Sequence, residues 1–309
     1  MRKYVLILVV VAMLPAVTNA CDICGCGVGN NYIGILPDFN KKILGLRYRY
    51  NSLFTHLGVG GESTYLTTRE MYKTVEAWGG YNISSSFRIM ASVPYSFNEK
   101  INQGKSTSKH GLGDISVSAF YQLLNNRRTD TAIGSKLIVQ SLWIGVGIKL
   151  PTGNYDPADK ASTNNNANLF QLGTGSTDFN ISAMYDIRLQ DAGFNVASSY
   201  KINTANKYGY HYGNKFTVTP QAYYKFRVLN KVTIAPNTGV QYETALSDLE
   251  KGFNVTVSGG NLLLGTAGIE TSFDKIAIGA NYQTPLSQNL GKGIVKANDR
   301  IMVHVAIAL

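Results

Sequence analysis

No apolar stretch in the 309 residues reaches the roughly eighteen positions a membrane-spanning helix needs, which excludes a helical membrane protein. Cysteine is absent after residue 26. No Pro-, Gly- or Ser-rich linker divides the chain, so one large domain is expected, a size that all-β barrels commonly reach. Clustered charge is missing too. Lys and Arg outnumber Asp and Glu by 29 to 19, but the excess is scattered and the longest cationic pairs are Lys41-Lys42 and Arg127-Arg128. Nucleic-acid binders gather their basic residues into a patch or helix, so nucleic acid is excluded as a partner. Only four histidines occur, His56, His110, His211 and His304, and none stands in an H-x-S pair that would set a nucleophile and its base on one strand face. Catalysis is therefore not expected, and no catalytic residue is assigned.

What is present begins with Arg2 and Lys3, the apolar run "YVLILVVVAMLPAV" and a small-residue exit at Thr18–Ala20, the pattern of a secretory signal peptide over residues 1–20. Loss of Arg2 and Lys3 takes the formal charge from +10 to +8, that is 10 − 2. The next segment, 21–42, opens with "CDICGCG", which holds all three thiols of an exported chain. Three readings stand side by side for Cys21, Cys24 and Cys26: a disulfide between two of them, lipidation of Cys21, or a thiolate site for a soft ion such as Cu(I) or zinc.

From residue 43 onward the period is two. In "FRIMASVPYSF" (87–97), Phe87, Ile89, Ala91, Val93, Tyr95 and Phe97 alternate with Arg88, Met90, Ser92, Pro94 and Ser96, and "IMVHVAIAL" (301–309) repeats the pattern. Similar segments at 43–54, 72–82, 112–123, 138–150, 173–188, 193–203, 215–228, 232–244, 260–273 and 276–285 bring the expectation to twelve strands. In 72–82, Val75 and Trp78 fall on opposite faces, which makes this the least regular of them. The connections alternate between short ("ISSS", "NNRRTD", "QDA", "LNK", "DK") and long (54–71, 98–111, 151–172, 204–214, 245–259, 286–299), as periplasmic turns and extracellular loops do in outer-membrane barrels. Outward aromatics gather at both strand ends: Tyr48, Tyr50, Tyr95, Phe97, Tyr200, Tyr242 and Tyr282 at one, and Tyr81, Tyr121, Tyr185, Tyr224 and Phe226 at the other. The fold class read from this is all-β: a closed antiparallel transmembrane barrel over 43–309, in the bacterial outer membrane. Closure is obligatory, because each unpaired backbone group of a sheet edge in hydrocarbon costs several kcal/mol.

With the apolar register toward lipid, the opposite register carries the candidate pore-lining residues Arg47, Arg49, Arg88, Asp114, Lys149, Asp178, Asp186, Lys225, Arg227 and Glu243. Glycines 145, 147, 239 and 279 share that face.

The stretches "GLGDISVSAFYQ" (111–122), "GVGIKLPTGNY" (145–155) and "NLFQLGTGSTDFNISAMY" (168–185) resemble the bacterial outer-membrane barrel transporters related to the meta-pathway phenol-degradation proteins. "CDICGCG" with "LPDFNKKILGLRYRYNS" is similar to the version of that family found in the Bacteroidota. The resemblance implies an outer-membrane channel for small molecules, apolar ones among them, and transfers no catalytic residue. The expected partners are outer-membrane lipid and lipopolysaccharide, a small-molecule or metal-ion substrate and the barrel-assembly machinery, around a monomer with no certain cofactor beyond Cu(I) or zinc at the thiols. Two alternatives accompany the channel: a barrel enzyme acting on lipids, and a non-conducting surface barrel.

Overall fold

The computed structural model describes residues 42–130, 136–159, 168–228 and 231–309. Twelve strands cross the barrel wall: β1 (Ile43–Thr55), β2 (Thr68–Asn82), β3 (Phe87–Asn102), β4 (Ser116–Asp130), β5 (Lys136–Lys149), β6 (Asp178–Leu189), β7 (Ala192–Ile202), β8 (Lys215–Tyr224, resumed over Phe226–Val228), β9 (Val232–Ala245), β10 (Gly260–Phe273), β11 (Ile276–Leu290) and β12 (Lys296–Ala308). Each pairs antiparallel with its neighbours in sequence, and β12 returns to β1 from Ala308 opposite Ile43 to Lys296 opposite Phe54. The sheet has no edge around its main girth, which is how the backbone groups are satisfied within lipid.

The side-chain alternation sorts as the pleat requires. Residues such as Arg47, Glu76, Arg88, Lys149 and Asp178 point inward and are buried, while Leu44, Leu46, Val146 (60 % exposed) and Ile278 (53 %) point outward. An apolar belt this continuous, open all around the molecule, is stable against acyl chains rather than water. Trp78 resolves the irregularity of β2: it faces inward with Glu76 and Gly80, while Val75 and Ala77 face out.

Both described termini lie at the end of the short turns, where the Leu309 N–H donates to the Lys42 carbonyl over 2.8 Å. Two-residue turns at Gln190-Asp191 and Asp274-Lys275 begin with a residue at positive φ, 53° and 51°, which matches the twist of the strands they join.

Several strand limits differ from the sequence expectation. "NNRRTD" (125–130) is not a turn but the end of β4, paired to β5 as far as Asp130 opposite Lys136. Its polar composition disguised it, because a strand that has left the hydrocarbon no longer needs an apolar face. The 98–111 loop is largely strand as well: β3 continues to Asn102 and folds back through Lys105–Leu112, which pairs with it. The 286–299 loop shrinks to residues 291–295 between β11 and β12. Conversely β4 starts at Ser116 and β6 at Asp178, because the glycine-rich residues before them enter a buried turn.

Candidate functional site

Three motifs remote in sequence meet at the loop end of the lumen. Asp114 closes "GLGD", Lys149 opens "KLPTG" at the last position of β5, and Asp178 ends "GTGSTD" at the first position of β6. The Lys149 Nζ lies 2.5 Å from Asp114 Oδ2 and 2.9 Å from Asp178 Oδ2, and donates to Thr174 Oγ1 and, over 3.1 Å, to the Ser176 carbonyl. Asp114 also accepts the Gly153 N–H on Oδ1 and the Thr174 N–H on Oδ2, each at 2.9 Å. Asp178 Oδ1 accepts from the Ser176 hydroxyl at 2.8 Å and the Thr204 N–H at 3.0 Å, and Lys201 Nζ stands 3.6 Å from its Oδ2. All four charged side chains are buried, so two cations and two anions balance in a water-poor site where neither partner could be lost cheaply. The glycines permit the approach: a Cβ on Gly153 would sit 2.8 Å from the Gly173 Cα. Beside this cluster Ser116, Ser118, Gly147, Asn180 and the two lysines line a small, partly open pocket of about 20 Å³, room for one water.

Beside the cluster, the loops fold over the mouth. Leu169 packs with Leu53, Tyr72, Leu262, Leu264, Leu290, Val295 and Ala297 in an apolar group within the barrel end. Tyr210 and Tyr212 meet edge-on at 4.8 Å. The Tyr210 hydroxyl donates to Asp248 Oδ2 at 2.5 Å and accepts the Asn168 N–H at 3.0 Å, and the Tyr212 hydroxyl donates to the Asn168 carbonyl at 2.9 Å.

Further down, Glu76 on β2 receives Arg49 at 2.7 Å and Arg47 at 3.5 Å from the adjacent β1. Nearer the loops, Glu243 on β9 receives Lys215 at 3.2 Å from the adjacent β8 and Arg300 at 2.8 Å from β12, which does not neighbour β9.

Toward the turn end the chemistry changes to rings on glycine. Trp78, Phe120, Tyr223 and His304 each lie over the glycine directly opposite on the neighbouring strand: Gly45, Gly145, Gly193 and Gly279. A Cβ at Gly45 would come 2.6 Å from Trp78 Cε2, and one at Gly145 2.5 Å from Phe120 Cδ1, so any larger residue would push the ring off the wall. Met90 and Met184 pack against the group formed by Trp78, Ile43 and Ala306. Met184 is on β6, so this contact reaches across the lumen from the opposite wall, through an unbranched thioether that adapts its shape readily. Below it, the Tyr223 hydroxyl bonds Asp186 at 2.9 and 3.1 Å and the Lys225 Nζ stands 5.4 Å from the Tyr223 ring centroid.

Arg47, Arg49, Asp114, Lys149, Asp178 and Glu243 are thus brought into three ion-paired groups, while Arg88 and Asp186 face the lumen nearer the turns. Arg227 departs from expectation: 56 % exposed and 3.0 Å from Asp191, it belongs to the rim, because β8 breaks at Lys225 and its last residues leave the wall. Cys21, Cys24 and Cys26 lie outside the described residues, as do the signal segment and the rest of 21–41. Among the described residues no group of His, Cys, Asp and Glu has the arrangement of a metal site. His56 hydrogen-bonds Thr55 Oγ1, His110 the Tyr95 hydroxyl and His211 the Asn203 carbonyl. The ring-on-glycine pairs were missed by sequence reasoning. Their only trace was an inward glycine opposite an inward ring, which needs the strand register to be seen.

A closed twelve-strand barrel with a lipid-facing belt, an ionic lumen and aromatic rings at both interfaces defines a transmembrane β-barrel of the outer-membrane type. The match of residues 49–254 to the family described as "Putative MetA-pathway of phenol degradation" covers most of the barrel, and the chain belongs to that family. Among solved structures it is similar to an outer membrane channel from Pseudomonas putida F1, at 12 % identity and a TM-score of 0.60, over 89 % of this chain and 100 % of that one. It is also similar to the β domain of the Bordetella autotransporter BrkA, at 8 % identity and a TM-score of 0.49, over 87 % of this chain and 100 % of that one. No curated protein matches it.

Proposed function

We propose that this barrel is a channel for small solutes with a flat or flexible apolar part, which leave the ionic middle of the lumen through the collar of rings at its periplasmic end. The observation that carries this is the fourfold placement of a ring over the glycine opposite it. A barrel that merely filled its interior would use branched side chains pointing to the axis, whereas rings over wall glycines give a largely aromatic lining, with Met90 and Met184 packed beside Trp78. One chain encloses the whole lumen, so a monomer suffices. Family membership and the fold shared with an outer membrane channel support the reading.

The proposal extends to the thiols. Cys21, Cys24 and Cys26 supply a soft donor set suited to Cu(I) or zinc, on a segment that joins the barrel at Lys42 on the turn side. Purified mature chain is then expected to take up about one Cu(I) against a competing chelator, and Cys24→Ser to abolish this. Full retention after that change rules out the metal part and leaves the channel part standing.

The channel part is tested by planar-bilayer recording and by swelling of liposomes in small aromatic and sugar solutes. Discrete openings, with aromatic solutes entering faster, are expected. Silence at high protein load, from barrel that migrates as folded on unheated gels, leaves the non-conducting scaffold as the answer.

A further inference from the structure

The hairpin of β4 and β5 reaches further beyond the turn end than any of its neighbours, and one side of it has no partner. Tyr121 pairs with Phe87 at the first residue of β3, and the Gln122 N–H donates to the Ser86 carbonyl over 2.8 Å. Past that point β4 continues from Leu124 to Asp130, paired to β5 on one side only. Among the described residues nothing pairs with its other side, whereas the far side of β5 is covered by β6 down to Ile138 opposite Leu189. The result is about 20 Å of open strand edge.

This edge cannot lie in hydrocarbon, where unpaired N–H and C=O groups are forbidden. It starts just below Tyr121, one of the outward rings of the lower interface, and its residues are Asn125, Asn126, Arg127, Arg128 and Thr129, all exposed. It therefore stands in the periplasm. Consecutive strand residues point to opposite faces, so Arg127 and Arg128 place one guanidinium on each face of the edge. An added strand would meet a cation whichever face its side chains took. The next acidic residue along the strand, Asp130, is opposite Lys136 in the pairing.

We infer that the free edge of β4 is a docking site for an extended acidic segment of a periplasmic protein, which adds to the hairpin as a further strand. Backbone pairing supplies the hold and the two arginines supply the preference for Glu or Asp at alternate positions. A second copy of this chain fits poorly, since antiparallel pairing of two such edges sets arginine against arginine. Arginines on an edge also discourage aggregation, and a purely protective role predicts that no peptide binds.

The test uses the full chain in detergent and a fluorescent peptide of alternating Glu and Val or Thr, read by anisotropy. Binding is expected, weakened about tenfold or more when alternate peptide nitrogens are methylated and by a similar factor in the double variant Arg127→Glu, Arg128→Glu. That variant should in turn bind the Lys counterpart of the peptide, while Lys231→Glu at another turn should change nothing. Unheated gel migration checks that each variant is folded. Absence of binding, binding indifferent to methylation or to charge reversal, or a disulfide-linked dimer through Asn125→Cys in place of peptide binding would each overturn the inference.

Discussion

The two ends of the lumen are held together by opposite means. At the mouth, Asp114, Lys149, Asp178 and Lys201 hold the loops by buried charge, an arrangement with one good geometry and a heavy penalty for losing any member. At the periplasmic end, rings rest on glycines and two methionines pack beside them, an arrangement of weak contacts that many side-chain positions satisfy nearly equally. The mouth is therefore the rigid end and the collar the yielding one. On the channel proposal, a solute is admitted more easily by rotation of a thioether than by exposure of an ion pair.

The sharpest way to break this contrast is at Lys149. Lys149→Ala leaves Asp114 and Asp178 buried with one cation fewer, and is expected to destabilise the folded barrel by about 3 to 5 kcal/mol and to open residues 151–172 to protease on intact cells. Lys149→Met with Asp114→Asn should be milder, because it removes charge in balance. Equal damage from both variants would mean that shape, not charge, locks the mouth.

Next in size is the glycine wall. Gly45→Val or Gly145→Val drives Trp78 or Phe120 toward the axis, at about 1 to 3 kcal/mol of overpacking, and if that cost falls on passage it slows solute flux by roughly ten- to a hundredfold in liposomes. Unchanged flux with a folded barrel would move the path away from the collar.

A smaller effect of opposite sign is expected from Met90→Ala with Met184→Ala. Both side chains are only partly buried, so stability should fall by less than about 2 kcal/mol while conductance rises. A rise confined to variants of the mouth would assign the yielding role to the wrong end.

The smallest effect concerns pH. His56 lies just beyond β1, and burial first, then the nearby charge of Lys100, lowers its pKa below the usual 6.5. Protonating it costs more in the folded than in the unfolded chain, so stability present above 6.5 declines as pH falls through that value toward the lower folded one. Melting of the detergent-solubilised barrel between pH 7 and 5 should show a small loss that His56→Gln removes.

The barrel was legible because lipid on one side and a polar lumen on the other impose period two on almost every strand. Legibility failed where that pressure ends: at "NNRRTD", in the arm Lys105–Leu112, and at the top of β11, all parts that have left the bilayer. Of the candidate site, the inward face of Arg47, Lys149, Asp178 and Glu243 followed from parity alone. Their partners did not, since Lys149 and Asp114 are 35 residues apart and Arg300 and Glu243 are 57 apart.

The sequence by itself determined that the chain alternates, turns, and must close, because alternation and connection length are local properties that the membrane reads directly. Only the tertiary structure decided which inward residues touch: that three motifs converge on Lys149, that each of four rings lies over a glycine, and that β4 outruns its neighbour. Those facts depend on the register of one strand against the next, and a shift of a single residue would turn every side chain to the other face.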